Sequence, residues 1–422
     1  MVDFSDWISE LKFHLENELL PFWMEQTLDD ENGGFIGRIS GDEKKHTDAI
    51  KGAVLNARIL WTFSAAYRVL KNDTYLKIAI RAKDYFAKYF IDKENGGVYW
   101  SVDCQGNPIN KTKYTYAIGF AIYAYSEFFR ATGDEEAKTI AVSLFNDIEG
   151  HCYDPDYKGF FEAFSETWGK IEDMRLSEKD ENMCKTMNTH LHVLEPYTNL
   201  YRVWKSPILK LRLRELILIF LEKIIDPNTY HFNLYFDNEW QTKANLISYG
   251  HDIEISWLLH EAAIVLGENE IISKVEAVIP KVIKAVNEGI YVDGSMVYEK
   301  NRLTQVIDFD RHWWVQAEAV VGFYNYYHFY HNEQALKKAI SMWQFIKNTL
   351  INYDNGEWYW SIDKDGRKNT QDDKVGFWKC PYHHARMCLE LIEKNSDNHL
   401  EGNAVLAKIH DGMLKNHEQV TH

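Results

Sequence analysis

A short turn-rich phrase recurs along this chain, and its period constrains the fold more than any other feature. DDENGGFIGRI (29–39), DKENGGVYWSVDCQG (92–106), DPDYKGFFEAF (154–164), DPNTYHFNLYFD (226–237), NEGIYVDGSMVYE (287–299) and YDNGEWYWSIDKDG (353–366) each join an Asp/Asn/Gly turn to a short aromatic strand. Their spacing is roughly 60 to 70 residues, and self-similarity at a fixed period marks a repeat architecture. Pairs of helical segments lie between the phrases. Asp48 to Val69 and Tyr75 to Phe90 are split by Asn72-Asp73, and Tyr114 to Thr132 and Glu135 to Ile148 by Gly133-Asp134. The later pairs are 186–204 with 207–225, 251–266 with 268–286, and 312–331 with 333–351.

The first member of each pair is apolar nearly all round, while the second carries Lys and Glu on one face. That contrast separates a buried inner helix from a half-exposed outer one. Six such hairpins closed in a ring make an all-α (α/α)6 barrel with short β-hairpins at one end. Residues 380–394 are the closing inner helix, and the N-terminal helix 4–22 is its outer partner. No linker or charge block interrupts the pattern. Residues 1–395 therefore read as one catalytic domain, and 396–422 as a polar tail with a short helix, Ala404 to Leu414.

The net charge of −16 argues against nucleic acid or an anionic membrane as partner. The opening MVDFSDWISELKFHL reads as an amphipathic helix rather than an export signal. No apolar run approaches the length of about 18 residues that a membrane span needs. The five cysteines form neither a CxxC pair nor a zinc spacing, which fits free thiols in the cytoplasm. Aromatic residues make up 14% of the chain. They serve either a core of large side chains or a set of flat platforms for a sugar, and composition leaves both open.

The stretch KTMNTHLHVLEPY (185–197) puts polar residues on an inner helix. Lys185, Asn188, His192, Glu195 and Asn199 fall on one stripe at i,i+3 and i,i+4 spacing, while His190 points elsewhere. A polar line on a buried helix faces a cavity or a partner network. Two more histidines open inner helices: His251 in SYGHDIEISWLL, one turn before Glu254, and His383 in GFWKCPYHHARMCLE, after Pro381. The positive end of a helix dipole favours neutral imidazole, which can take or give a proton near neutral pH. A carboxylate one turn away can fix the tautomer, Glu254 for His251 and Glu195 for His192. Arg58, Tyr116, Trp313, Trp314, Glu318 and Trp378 also fall on or beside inner helices.

Several readings compete. His192, Glu195, His251 and His383 could ligate a metal, although no HExxH motif or carboxylate cluster supports it. Glu195, Glu254 and Glu318 could supply the opposed carboxylates of a glycoside hydrolase, but each looks like a histidine or arginine partner. A non-catalytic sugar-binding protein would not need paired histidines at helix N-termini. Proton-transfer chemistry on a sugar, with histidines as acid and base, accounts for the residue types best.

The segments KGAVLNARILW, KTMNTHLHVLE, SYGHDIEISWLL, HWWVQAEAV and FWKCPYHHARMCLE resemble the N-acylglucosamine 2-epimerase superfamily, most closely its cellobiose 2-epimerase branch. The resemblance runs from about residue 5 to 394, and the KCPYH form favours that branch. It implies an (α/α)6 barrel and reversible C2 epimerisation of the reducing-end glucose of β-1,4 disaccharides such as cellobiose, lactose or mannobiose. It implies no metal and no cofactor. His251 and His383 then resemble the acid/base pair, His192 the histidine that assists ring opening, and Glu254 the partner of His251. Arg58 resembles the residue that holds oxygens near C1 and C2. Asn188, Tyr116, Trp313 and Trp378 resemble pocket-lining residues, with Trp378 a stacking platform. Other sugar epimerases or aldose–ketose isomerases of the superfamily are the alternative. A monomer or weak homo-oligomer is expected. Two positions depart from the branch: Ile118, where Gln is common, and Pro196, which should kink its helix just after Glu195.

Overall fold

A computed structural model describes residues 4–242 and 245–396. The sequence-expected tail helix 404–414 lies outside the described residues. The helices in chain order are α1 (Phe4–His14), α2 (Leu20–Glu25), α3 (Ala53–Leu70), α4 (Asp73–Tyr89), α5 (Thr115–Thr132), α6 (Glu135–Asp147) and α7 (Met187–Val203). After them come α8 (Pro207–Ile219), α9 (Tyr249–Leu266), α10 (Asn269–Val286), α11 (Trp313–Tyr330), α12 (Glu333–Phe345) and α13 (Tyr382–Lys394). The inner ring is α3, α5, α7, α9, α11 and α13, each packed on the next, and α13 returns to α3 to close it. These helices are buried around most of their circumference, whereas α4, α6, α8, α10 and α12 bury one face each. The N-terminal helix α1 packs on α13 and fills the sixth outer place. The fold is the (α/α)6 barrel that the repeat implies.

The recurring phrases have a shared structural task. In the first three phrases the opening Asp folds back on its own turn and grips a fully buried lysine just ahead of an inner helix. Asp29 meets Lys51 at 2.7 Å, Asp92 meets Lys113 at 2.6 Å and Asp154 meets Lys185 at 2.6 Å. Backbone N–H groups two and three residues on donate to the same carboxylates, so the turn and the strand are clamped together. The glycine pairs answer a close approach: Gly34 has φ +64°, and a Cβ there would stand 2.6 Å from the Tyr85 ring. Strands of two or three residues precede the inner helices, as at Lys51–Gly52, Lys113–Tyr114, Lys185–Thr186, Leu246–Ser248 and Arg311–His312. Each pairs antiparallel with a strand of a neighbouring phrase. All of these clamps sit at the N-terminal end of the inner ring, so that end forms a stiff rim. No helix among the described residues is long and apolar enough to cross a membrane.

Helix α7 departs from regular geometry at His192 (φ −86°, ψ 15°). The cause is Pro196, which has no N–H to give the His192 carbonyl four residues earlier. The bend therefore falls at His192 itself, not after Glu195 as the sequence suggests. The carbonyl that is released points at α5, where Gly119 leaves room: a Cβ at 119 would lie 2.2 Å from that oxygen. Ile118 beside it is fully buried.

Candidate active site

The rim end of the inner ring gathers the sequence-nominated residues, because each stands in the first two turns of its helix. Arg58 comes from α3, Tyr116 from α5, Asn188 and His192 from α7, His251 from α9, and His383 from α13. Trp378 approaches on the loop before α13.

Arg58 is buried and donates to the Tyr116 hydroxyl at 2.9 Å and to Cys380 Sγ at 3.7 Å. Its guanidinium lies 4.2 Å from the Phe120 ring centre and 4.9 Å from that of Tyr382. Its Nε has no hydrogen-bond partner. Among the described residues no carboxylate forms an ion pair with it. Aromatic faces and a thiol hold the cation in place without neutralising it.

His192 sits between the Tyr116 and Phe120 rings, at centroid distances of 5.0 and 4.8 Å. Its Nδ1 is 3.2 Å from Glu195 Oε2, as the spacing foretold. Burial pushes its pKa below the usual value, against the opposing pull of Glu195. His190 has a structural task instead: Nδ1 is 2.6 Å from the Thr186 carbonyl, and Nε2 accepts the Phe160 N–H at 2.9 Å.

His251 is half-buried and packs on Trp314 at 4.8 Å. The surrounding protein pushes its pKa down to about 3. Its Nδ1 is 2.8 Å from Ser248 Oγ. Glu254 is thus not the partner of His251, which corrects the expectation from i,i+3 spacing. The Glu254 carboxylate is drawn inward to Arg386, where Oε1 accepts at 2.6 Å. A fully buried guanidinium outcompetes an imidazole that a nearby serine already satisfies.

His383 makes the contact that was expected of His251. Its Nδ1 is 2.7 Å from Glu318 Oε1, and Glu254 Oε1 is 3.9 Å away. Burial, then Arg58 and Arg386, hold its pKa well below 6.5. Trp314 lies 5.6 Å from His383 as well, so one indole packs on both histidines. Trp313, the sequence choice for this wall, is buried against Trp360 at 4.7 Å with Lys379 over its ring. Successive residues on a helix point about 100° apart, and Trp314 is the one turned toward the histidines. Trp378 is half-buried near Trp100 and Tyr116, both at 5.9 Å, and Asn188 is half-buried in the first turn of α7.

Arg386 was not singled out from the sequence, yet it ties the site together. It is fully buried and donates to Glu195, to Tyr382, to Glu254 at 2.6 Å and to Glu318 at 2.6 Å. The signal was available: an arginine one turn after His383 on a buried helix has the same oddity as Arg58. Glu254, Glu318 and His383 offer ligand atoms within 4.8 Å of one another, close enough for a metal ion. The Arg386 guanidinium already supplies a positive charge to both carboxylates. Three carboxylates engaged in this way are not the two free, opposed groups of a glycoside hydrolase.

The family model for N-acylglucosamine 2-epimerase matches residues 34–387. The chain belongs to the N-acylglucosamine 2-epimerase family. Within it, the cellobiose 2-epimerase of Bacteroides fragilis is 56% identical over 383 residues, 91% of this chain and 98% of that one. The cellobiose 2-epimerase of Dictyoglomus turgidum is 38% identical and covers 92% of this chain and 98% of its own. The solved cellobiose 2-epimerase of Bacillus thermoamylovorans superposes with a TM-score of 0.89 at 41% identity, over 93% of this chain and all of that one.

Proposed function

We propose that the chain is a cellobiose 2-epimerase, interconverting glucose and mannose at the reducing end of β-1,4-linked disaccharides without a metal or cofactor. The observation that carries the reading is Arg58. A buried guanidinium with no carboxylate partner is costly at rest and becomes useful when negative charge develops beside it. Full-length similarity to cellobiose 2-epimerases supports the same substrate class.

The C2 proton of a pyranose is not acidic until the ring opens. Opening moves the O1 proton to a base and a proton to O5 as the C1–O5 bond breaks, which leaves an aldehyde at C1. His192 beside Arg58 is suited to this exchange, since donating Nδ1–H to Glu195 leaves its Nε2 lone pair free. A histidine then takes the C2 proton. The electron pair becomes the C1–C2 double bond, and the charge settles on O1 as an enediolate that Arg58 stabilises. The imidazolium so formed returns the proton to the other face of C2 once the enediolate rotates, which inverts the centre, whereas its return to C1 would give the ketose as a side product. His251 and His383 both pack on Trp314 and are the two candidates for the histidine that exchanges this proton. The neutral state of all three histidines is the state a base needs.

Trp378 serves as the stacking platform, and Asn188 and Tyr116 hold sugar hydroxyls. Residues 1–395 act as one catalytic unit, and the free cysteines suit a reducing cytoplasm. The test is proton NMR of EDTA-treated enzyme with cellobiose in D2O. Glucosyl-mannose with deuterium at C2 is expected. Release of glucose would instead make the protein a hydrolase. No reaction with cellobiose, mannobiose, mannose or N-acetylglucosamine plus ATP would leave it with the family's fold alone.

A further inference from the structure

We propose that Glu254 is kept as a neutral carboxylic acid, with its proton on Oε2, and that this brings the resting charge of the pocket to zero. Three buried carboxylates, Glu195, Glu254 and Glu318, surround the single guanidinium of Arg386. If all were ionised, the cluster would carry an uncompensated double negative charge in a water-poor interior, which is expensive. Glu195 and Glu318 each have a second use for their charge, since each faces a histidine Nδ1. Glu254 differs. Oε1 accepts from Arg386, while Oε2 is buried and has no partner. An ionised oxygen in that position would be a bare charge, whereas a hydroxyl is tolerated.

The groups that face Glu254 agree. Arg386, Tyr382 and His383 approach from α13, Glu318 from α11, Glu195 from α7 and Tyr116 from α5. Burial, then the neighbouring Glu318 charge, hold the Glu254 carboxyl well above the usual range, against the pull of Arg386. Glu195 goes the other way: burial alone would raise it, and Arg386 with His192 brings it below its ordinary value. Two carboxylates remain ionised, Glu195 and Glu318, and two guanidiniums match them, Arg386 and Arg58. The three histidines are then free to wait as neutral bases. When one of them takes the C2 proton, the new imidazolium and the new enediolate cancel, and the pocket stays neutral through the reaction. Glu254 is in this sense a positioning residue: it acts through Arg386 and through the charge it withholds.

The direct test is spectroscopic and does not depend on the substrate assignment. In enzyme with carbon-13-labelled glutamate carboxyls, Glu254 should give a protonated-acid carbonyl stretch at neutral pH. That band should vanish in E254Q and persist in E318Q. Burial also pushes Glu162 up to about 8 and Glu299 up to about 7, so the E254Q difference spectrum makes the assignment. A wild-type spectrum with no protonated-acid band at neutral pH would overturn the proposal even if no variant folds. The kinetic half rests on the epimerase reading. E254Q keeps the neutral charge and a donor, so its kcat should fall by no more than about tenfold, and its kcat/KM should lose the alkaline limb that Glu254 ionisation gives the wild type. E318Q removes the anion behind His383 and should lose more than about a hundredfold. Folded E254Q as inactive as E318Q, or with an unchanged alkaline limb, would refute the assignment.

Discussion

Replacement of Gly119 by alanine tests whether the Pro196 bend is what places His192. The new Cβ would lie 2.2 Å from the His192 carbonyl oxygen. An ordinary contact is about 3.5 Å, so α5 and α7 must part by more than about 1 Å. Overpacking of this kind costs about 1–3 kcal/mol. Alanine recovers about 1 kcal/mol of helix propensity over glycine, which leaves a net loss of about 0–2 kcal/mol. Stability alone is thus a weak readout, and turnover is the strong one. A displacement of about 1 Å at a reacting group costs on the order of a hundredfold in rate. The G119A variant should therefore melt near the wild type and epimerise cellobiose about a hundredfold more slowly. Pro196→Ala completes the design. It returns an N–H to α7, draws the His192 carbonyl back into the helix ladder and makes room for Ala at 119. In the double mutant the cost of G119A should shrink, giving a coupling of about 0.5–3 kcal/mol. G119A with wild-type kcat, or strictly additive effects in the cycle, would refute the argument.

Two further outcomes follow from the charges. Arg58→Met should lower kcat by about 10²–10³ while the melting temperature stays level or rises, because no carboxylate loses a direct ion pair; a fall in melting temperature of several degrees would show that Arg58 has a structural ion pair after all. His190 has its pKa pushed by burial from 6.5 down to about 3. Between those values the unfolded chain binds the proton and the folded chain does not, so stability is lost as pH falls through that window. His190→Gln should remove up to about 1.4 kcal/mol per pH unit of that slope, measured as urea unfolding from pH 4 to 6.5, and an unchanged slope would exclude the assignment.

The helix pairs were legible because their ends are written in local chemistry. Gly133 and Gly267 take φ +75° and +77° at the C-caps of α5 and α9, and Asn72, Asp134 and Asn332 cap the helices that follow. The start of α3 was set five residues early, at Asp48 instead of Ala53, because residues 51–52 leave the helix to pair with 101–102. Strand pairing across about fifty residues is not visible in a local window. The site shows the same division. Glu195 meets His192 within one helix, where spacing is a sound guide. Glu254 and Glu318 answer to Arg386 on another helix, and no spacing rule along α9 or α11 contains that contact. The choice of Trp313 over Trp314 failed for a smaller reason: one residue of phase at a helix start turns the side chain by about 100°.

The ring closes through its last helix, and that has a consequence for how the protein comes into being. Trp23 donates to Glu357 across 334 positions of sequence, and Arg58 meets Cys380 across 322. On a ribosome adding about 5–20 residues per second, α2 and α3 wait some tens of seconds for their partners. Five inner helices can stack in order as they emerge, each on its predecessor, but the wall stays open along one side until α13 arrives. His383 and Arg386 travel on that same helix. The nascent chain therefore completes its shape and its reactive centre at the same moment, and a truncated product has neither.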